Sequence, residues 1–294
     1  MSHRESEPAV RLLIISGLSG SGKSSALHML EDLDYYCVDN IPARLLETLI
    51  RELERSGPKF DLLAIGLDTR PEQDDIERVS RVVQSLRAER AGCEVVFLTS
   101  TPEVLLKRYS ETRRRHPFSS QGPSLLQAIE FERKLLAPLC ELGDLVIDTS
   151  RMSVHELRDT IRERVARRDV GQLSLQFESF GFKHGVPADA DFVFDARALP
   201  NPYWVTQLRG LTGKDKPVTD FLESDGLVGR FVDDLIGFLD RWIPEIQRGN
   251  RSYLTVAVGC TGGRHRSVYV TEKLAEHFRE HLGNVIVRHN ELPV

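Results

Sequence analysis

Four cysteines in 294 residues leave little room for a disulfide framework. Cys37, Cys93, Cys140 and Cys260 are widely spaced and form no C-x-x-C pair, which suits free thiols in a reducing compartment. No stretch approaches the roughly 18 uninterrupted apolar residues of a membrane span, and Met1 to Pro8 is short and charged, without the apolar core of a leader. The expected location is therefore cytoplasmic, with no membrane partner. Excess positive charge is also lacking: the net charge of −5 argues against a surface that coats nucleic acid or anionic lipid throughout and leaves room only for a local basic patch. Repeats and low-complexity tracts are absent. What remains is an ordinary globular composition, at a length that favours two domains, each able to bury its own core.

The stretch that stands out is Gly17-Leu18-Ser19-Gly20-Ser21-Gly22-Lys23-Ser24, a full match to G-x-x-x-x-G-K-[ST]. Val10, Leu12, Leu13, Ile14 and Ile15 ahead of it read as a buried strand, and Ser25 to Leu30 after it as an opening helix. Strand, glycine loop and helix are the context this phosphate-binding motif requires. Glycines let the backbone turn tightly and aim successive N–H groups inward, and the helix adds the positive end of its dipole at the same point. A nucleoside triphosphate fits such a cradle. Lys23 is expected to reach the outer phosphates as the catalytic lysine, and the Ser24 hydroxyl to ligate Mg²⁺.

Apolar strands alternate with helical stretches through the first half, the pattern of a parallel sheet covered by helices. Strands are expected at 35–38, 62–67, 95–98 and 145–147, with helices from Pro42 to Leu53, up to about Arg90, from Pro102, and from the capping box Ser153-Val154-His155-Glu156 to about Arg168. Ligands in such sheets sit beyond the carboxyl ends of the strands, where Asp39, Asp68 and Asp148 fall. A phosphate-loop enzyme usually needs a carboxylate to order its Mg²⁺. The strand 95–98 is followed by Thr99-Ser100-Thr101, with no acid, so Asp39 is the better candidate, and a turn residue or helix cap is its alternative. Lys107 to His116 is a basic cluster whose Arg113, Arg114 and Arg115 read either as a mobile lid over a bound phosphate or as a solvated helix face.

Near Gly171 the texture changes to alternating Leu173 to Glu178, which places the domain boundary at 170/171. In the second half, Tyr253 to Val258 reads as a strand running into Gly259-Cys260-Thr261-Gly262-Gly263-Arg264-His265-Arg266-Ser267, with a helix from Val268 to His281. The logic of the first loop is repeated, so a second anion site is expected over Thr261, Gly262, Gly263, His265, Arg266 and Ser267, with His184 from Phe182-Lys183-His184-Gly185 as a further candidate. The same loop also has the Cys-x-x-Gly-x-x-Arg-Ser spacing of cysteine phosphatases, although Gly259 stands where a histidine is usual before the cysteine. Non-catalytic anion binding is the preferred reading, because a cysteine is more often a small buried hydrophobe.

The phosphate loop, Tyr35 to Asn40, Asp68-Thr69-Arg70, Arg108 to Arg114, Glu178 to Gly185, Leu199-Pro200-Asn201-Pro202 and Gly259 to Gly263 together closely resemble the RapZ/YvcJ nucleotide-binding proteins, over about residues 10 to 290. The resemblance implies an α/β chain with a P-loop NTPase-like parallel-sheet domain (1–170) and a second, smaller α/β domain (171–294). It implies ATP and GTP as ligands of a weakly hydrolysing first domain, with Asp68, Thr69, Arg70 and Pro71 matching the family's guanine-nucleotide segment. For the second domain it implies sensing of a phosphorylated sugar metabolite and binding of a small regulatory RNA, with a regulatory protein partner; a homo-oligomer stays open. Residues 285 to 294 carry one arginine and one glutamate, so this segment is expected to add little phosphate neutralisation. A small-molecule P-loop kinase, with its acceptor near Asp39, and an RNA-binding adapter without meaningful turnover remain as alternatives.

Overall fold

Strand β1, Arg11–Gly17, is buried at every position, as a continuous Leu-Leu-Ile-Ile run demands of a strand covered on both faces. In the computed structural model, which describes residues 11–55, 61–67, 73–89, 92–119, 124–166, 172–249 and 251–292, the chain divides into two compact units, Met1–Gly171 and Gln172–Val294.

In the first unit β1 lies at the centre of a five-stranded sheet with β2 (Tyr36–Ile41), β3 (Leu62–Leu67), β4 (Cys93–Thr99) and β5 (Leu145–Asp148). The strand order is β2-β3-β1-β4-β5, and every pairing is parallel. Helices α1 (Lys23–Glu31), α2 (Leu46–Arg55), α3 (Gln73–Glu89), α4 (Pro102–Thr112) and α5 (Leu125–Glu141) connect the strands, and α6 (Val154–Thr160) follows the last of them. The core joins Leu12, Ile14, Ile65, Val95 and Phe97 of the sheet to Val83 of α3 and Ile129 and Leu136 of α5. Strand order reverses beside β1, which therefore delivers its carboxyl end into the crevice where open α/β sheets bind ligands. Beyond α6 the chain continues as a π-helical turn, Ile161–Ala166. Buried Arg11 caps that turn, donating to the Val165 and Ala166 carbonyls, and lies 3.7 Å from Glu94.

The second unit repeats the plan with four parallel strands: β6 (Ser174–Gly181), β7 (Phe192–Asp195), β8 (Tyr253–Cys260) and β9 (Val285–His289), in the order β7-β8-β6-β9. Helices α7 (Lys216–Glu223), α8 (Gly226–Arg248) and α9 (Arg266–Arg279) cover it. β6 and β8 are buried throughout. α8 presents Val228, Val232, Leu235, Leu239 and Ile243 to the core, the three-and-four spacing of an amphipathic helix.

The helix expected from Ser153 to about Arg168 is α-helical only to Thr160 and π-helical to Ala166, and other elements also differ from the reading of the sequence. Residues 285–289, read there as part of a weakly charged tail, form the edge strand β9 paired with β6, as β-branched Val285, Ile286 and Val287 favour. The second strand does not stop at Val38 but continues to Ile41 through an irregularity in its register, with Asn40 at φ +58°. The 17-residue helix α5 has no counterpart in the expectations at all.

Candidate functional site

Gly17 closes β1 at φ +141°, and a Cβ there would stand 2.1 Å from the Leu98 carbonyl oxygen. Only glycine allows the loop to pass this close to the neighbouring strand. The turn is then fixed from inside: the Leu18 N–H donates to the Leu98 carbonyl at 3.0 Å, and the Ser21 hydroxyl donates to the Leu18 carbonyl at 2.6 Å. Gly22, left-handed at φ +111°, is the N-cap of α1 and supplies no side-chain cap. A helix start without a side-chain cap is the kind of end that takes an anion. The Lys23 ammonium folds back onto the loop, donating to the carbonyls of Gly17 at 2.6 Å and Leu18 at 3.2 Å. Ser24 is exposed on the first helical turn.

A cavity of about 680 Å³ opens over residues 19–25 of this loop. Arg108 and Tyr109 of α4 line it, together with Arg114 and Arg115 beyond that helix and Met152 and Leu157 on the far side. Arg108 is half-buried and braces the loop by donating to the Gly20 carbonyl at 3.0 Å and to the Thr149 carbonyl at 2.6 Å. Burial lowers its pKa from the usual arginine value, against the nearby charge of Asp148. The Thr149 hydroxyl in turn donates to the Ser21 carbonyl at 2.8 Å. Burial pushes the Tyr109 hydroxyl up to about 12, although its bond with Ser19 opposes the shift. Arg113 caps α4 in a left-handed conformation, φ +52°, so the arginine run leads out of the helix end rather than following one helix face.

The candidate acids are spread out. Asp39 is exposed on β2 and accepts from the Asn40 N–H at 2.7 Å. Asp148, at the end of β5, accepts from the Ser150 N–H at 2.9 Å and from the Ser150 hydroxyl. Asp68, Thr69, Arg70 and Pro71 lie outside the described residues. Among the described residues no group of three or more His, Cys, Asp or Glu side chains could hold a metal ion. A cation here would depend on phosphate oxygens and water with a hydroxyl such as Ser24, which is the habit of Mg²⁺.

The carboxylate in closest contact with the loop came from an unexpected place. Glu132 of α5 has no solvent exposure and accepts from the Ser19 N–H at 3.0 Å and from the Ser19 hydroxyl at 2.7 Å. His116, also buried, donates to it from Nε2 at 3.1 Å. The sequence did carry a signal. Ala128, Ile129, Leu136 and Leu139 are the buried stripe of α5, and Glu132 sits within that stripe at helical spacing.

In the second unit β8 ends at Cys260, and residues 261–265 lead into α9. The loop is tightly packed. A Cβ on Gly181 would stand 2.8 Å from the Gly262 carbonyl carbon, and one on Gly263 would stand 2.2 Å from a Glu291 carboxylate oxygen. The turn carrying His184 is held beside the loop by the Lys183 N–H, which donates to the Thr261 carbonyl at 3.3 Å. Thr261 and His184 are exposed and Gly262 is half-buried, whereas Gly263, His265, Arg266 and Ser267 are buried. The Arg266 guanidinium turns inward, donating to the carbonyls of Arg197 at 2.9 Å and Leu199 at 3.1 Å. His265 Nε2 donates to the Leu208 carbonyl at 3.1 Å, and burial lowers its pKa from the ordinary value. Burial raises the Cys260 thiol pKa, but the Ser267 hydroxyl and the N–H groups of Ser267, Gly263 and His265 outweigh it and bring the thiol below its ordinary value. The Sγ stands 3.2 Å from the Ser267 Oγ. No helix among the described residues is long and apolar enough to cross a membrane.

Two family models cover nearly all of the chain: the RapZ-like N-terminal domain matches residues 10–169 and the RapZ C-terminal domain residues 173–293. The chain is 52% identical over 286 residues to a nucleotide-binding protein of Chromohalobacter salexigens, covering 97% of this chain and 96% of that one. It is 49% identical over 286 residues to a nucleotide-binding protein of Marinobacter nauticus, covering 97% of each chain. A nucleotide-binding protein of Thioalkalivibrio sulfidiphilus is 48% identical over 285 residues, covering 96% of this chain and all of that one. With a parallel-sheet unit built around a phosphate loop, a smaller α/β unit behind it in sequence, and both domain models matched in order, this chain belongs to the RapZ family.

Proposed function

We propose that the first unit binds ATP and GTP with Mg²⁺ and hydrolyses them slowly, and that the second unit binds a phosphorylated sugar, making the protein a nucleotide-binding regulator. The observation that carries this reading is the loop 17–24: uncapped helix N–H groups, a lysine poised on the same turn, and three arginines lining one cavity above it. A triphosphate would draw Lys23 from the Gly17 and Leu18 carbonyls to its outer phosphates, and Ser24 would ligate the Mg²⁺ between them. Slow turnover is supported by the acids. The strand β4 ends at Thr99 and is followed by Ser100 and Thr101, so no carboxylate stands at that strand end to order Mg²⁺, and we assign the ordering of water to exposed Asp39 of β2. The relatives named for nucleotide binding support the same reading. For the second unit, the support is a glycine loop that runs from a central strand into α9 with Thr261 and His184 exposed beside it.

Incubating the full chain with γ-labelled ATP and a phosphorylated-sugar mixture tests the proposal. Slow release of labelled inorganic phosphate as the only product is expected, and it should disappear in Lys23→Ala. A labelled organic product would replace the regulator with a small-molecule kinase.

A further inference from the structure

We propose that Glu132 is a positioning residue for the nucleotide site: its buried carboxylate sets the phosphate loop at Ser19 and, through His116, anchors the arginine segment 113–115 to the same point. This rests on the nucleotide reading of the first unit. A carboxylate with no exposure in the apolar stripe of α5 is costly to keep, yet here three donors converge on it. The Ser19 N–H and His116 Nε2–H share Oε2 at 3.0 and 3.1 Å, and the Ser19 hydroxyl donates to Oε1 at 2.7 Å. His116 has both ring nitrogens committed, since Nδ1 accepts from the Phe118 N–H at 3.2 Å. That pattern assigns the Nε2–H tautomer. Its ring is also held between Tyr109 and Phe118, with centroids 5.2 and 6.0 Å away.

Sequence position gives this cluster its consequence. Ser19 is the third residue of the phosphate loop, and its neighbour Gly20 takes the Arg108 guanidinium. His116 directly follows the arginines, of which Arg114 and Arg115 line the cavity. One carboxylate thus joins the N–H cradle to the cationic segment facing it, so neither has to be ordered by the ligand. Preset donors keep binding energy that would otherwise be spent on ordering.

The test uses the full chain with Glu132→Ala, Glu132→Gln and His116→Ala, reading ATP·Mg²⁺ affinity, thermal midpoint and the rate of tryptic cleavage after Arg113, Arg114 and Arg115. Glu132→Ala should weaken ATP by about tenfold or more and speed cleavage in that run without speeding it in the second unit, because a lost buried acceptor frees both segments. Glu132→Gln keeps an acceptor for the Ser19 N–H and should stay within about threefold of wild type. His116→Ala should speed cleavage while costing less affinity than Glu132→Ala. Unchanged affinity in a folded Glu132→Ala protein would overturn the proposal, as would cleavage that quickens equally everywhere, which marks a merely structural role. If Glu132→Ala does not fold, unchanged cleavage in His116→Ala overturns it. A wild type that binds no ATP would remove the nucleotide reading instead, while the cleavage data would still report the clamp.

Discussion

The two glycine loops, 17–24 and 260–267, stand at matching places: each follows an interior strand of a parallel sheet and opens a helix. Their chemistry diverges in where the cations point. In the first, Lys23 rests on loop carbonyls, and Arg108, Arg114 and Arg115 line a cavity with it. In the second, Arg266 is buried, with Nη1 donating to the carbonyls of Arg197 and Leu199 and Nη2 to the Thr261 hydroxyl at 3.4 Å, while loop N–H groups serve the Cys260 sulfur. The same topology therefore yields one loop whose cations line a cavity and one whose arginine is buried in the fold. An N–H nest at a helix start permits anion binding; the direction of the nearest cation decides how strongly.

Substitution of those two cations breaks the comparison most directly. Lys23→Ala should lower ATP and GTP affinity roughly tenfold to a hundredfold, the equivalent of losing charge-assisted hydrogen bonds of about 1.5–3 kcal/mol, and move the thermal midpoint less than Arg266→Ala does. Titration of the full chain with each nucleotide, paired with a melting curve, checks both halves of that statement. Arg266→Ala should act the other way round, costing about 1–3 kcal/mol of stability because the carbonyls of Arg197 and Leu199 lose a buried donor. Both tryptophans, Trp204 and Trp242, lie in the second unit, so tryptophan emission during denaturation follows that unit alone. An Arg266→Ala protein of wild-type stability would show that its guanidinium is free for a ligand after all.

Acid should produce a smaller effect, again in the second unit. Burial holds His265 and His289 below the ordinary histidine pKa of about 6.5. The unfolded chain then binds more protons than the folded one, so their contribution to stability is present above about pH 6.5 and is lost as pH falls below it. The carboxylate of Glu272 is held low by Lys214 and His289 against its burial, and its contribution is lost only as pH drops below the ordinary carboxylate range. Denaturation midpoints followed by tryptophan emission should decline between pH 7 and 5, and Asn at both histidine positions should flatten that decline.

Legibility from sequence followed the range of the constraints. The first loop could be read because each fixed position answers a local demand: positive φ at Gly17 and Gly22, a lysine within reach of the turn, and flanking strand and helix. The parallel α/β plan followed from alternating apolar runs. Glu132 leaves no mark in a strand-end pattern, because it reaches the loop from the middle of a helix 113 residues away in sequence. The orientation of Arg266 was equally hidden, since the two carbonyls that hold its Nη1 lie 67 and 69 residues earlier and no local pattern distinguishes a guanidinium that points out from one that points in. β9 was passed over for its low charge, although Val285-Ile286-Val287 carried a strand signal of its own.

Hydrogen exchange of the full chain, with and without saturating ATP·Mg²⁺ and separately with glucosamine-6-phosphate, sets the two loops against each other in one experiment. The contrast between the loops requires that the nucleotide slow exchange in peptides spanning residues 17–27 and leave 259–268 unchanged, and that the sugar phosphate do the reverse. Protection of 259–268 by ATP, or none at 17–27, would contradict it.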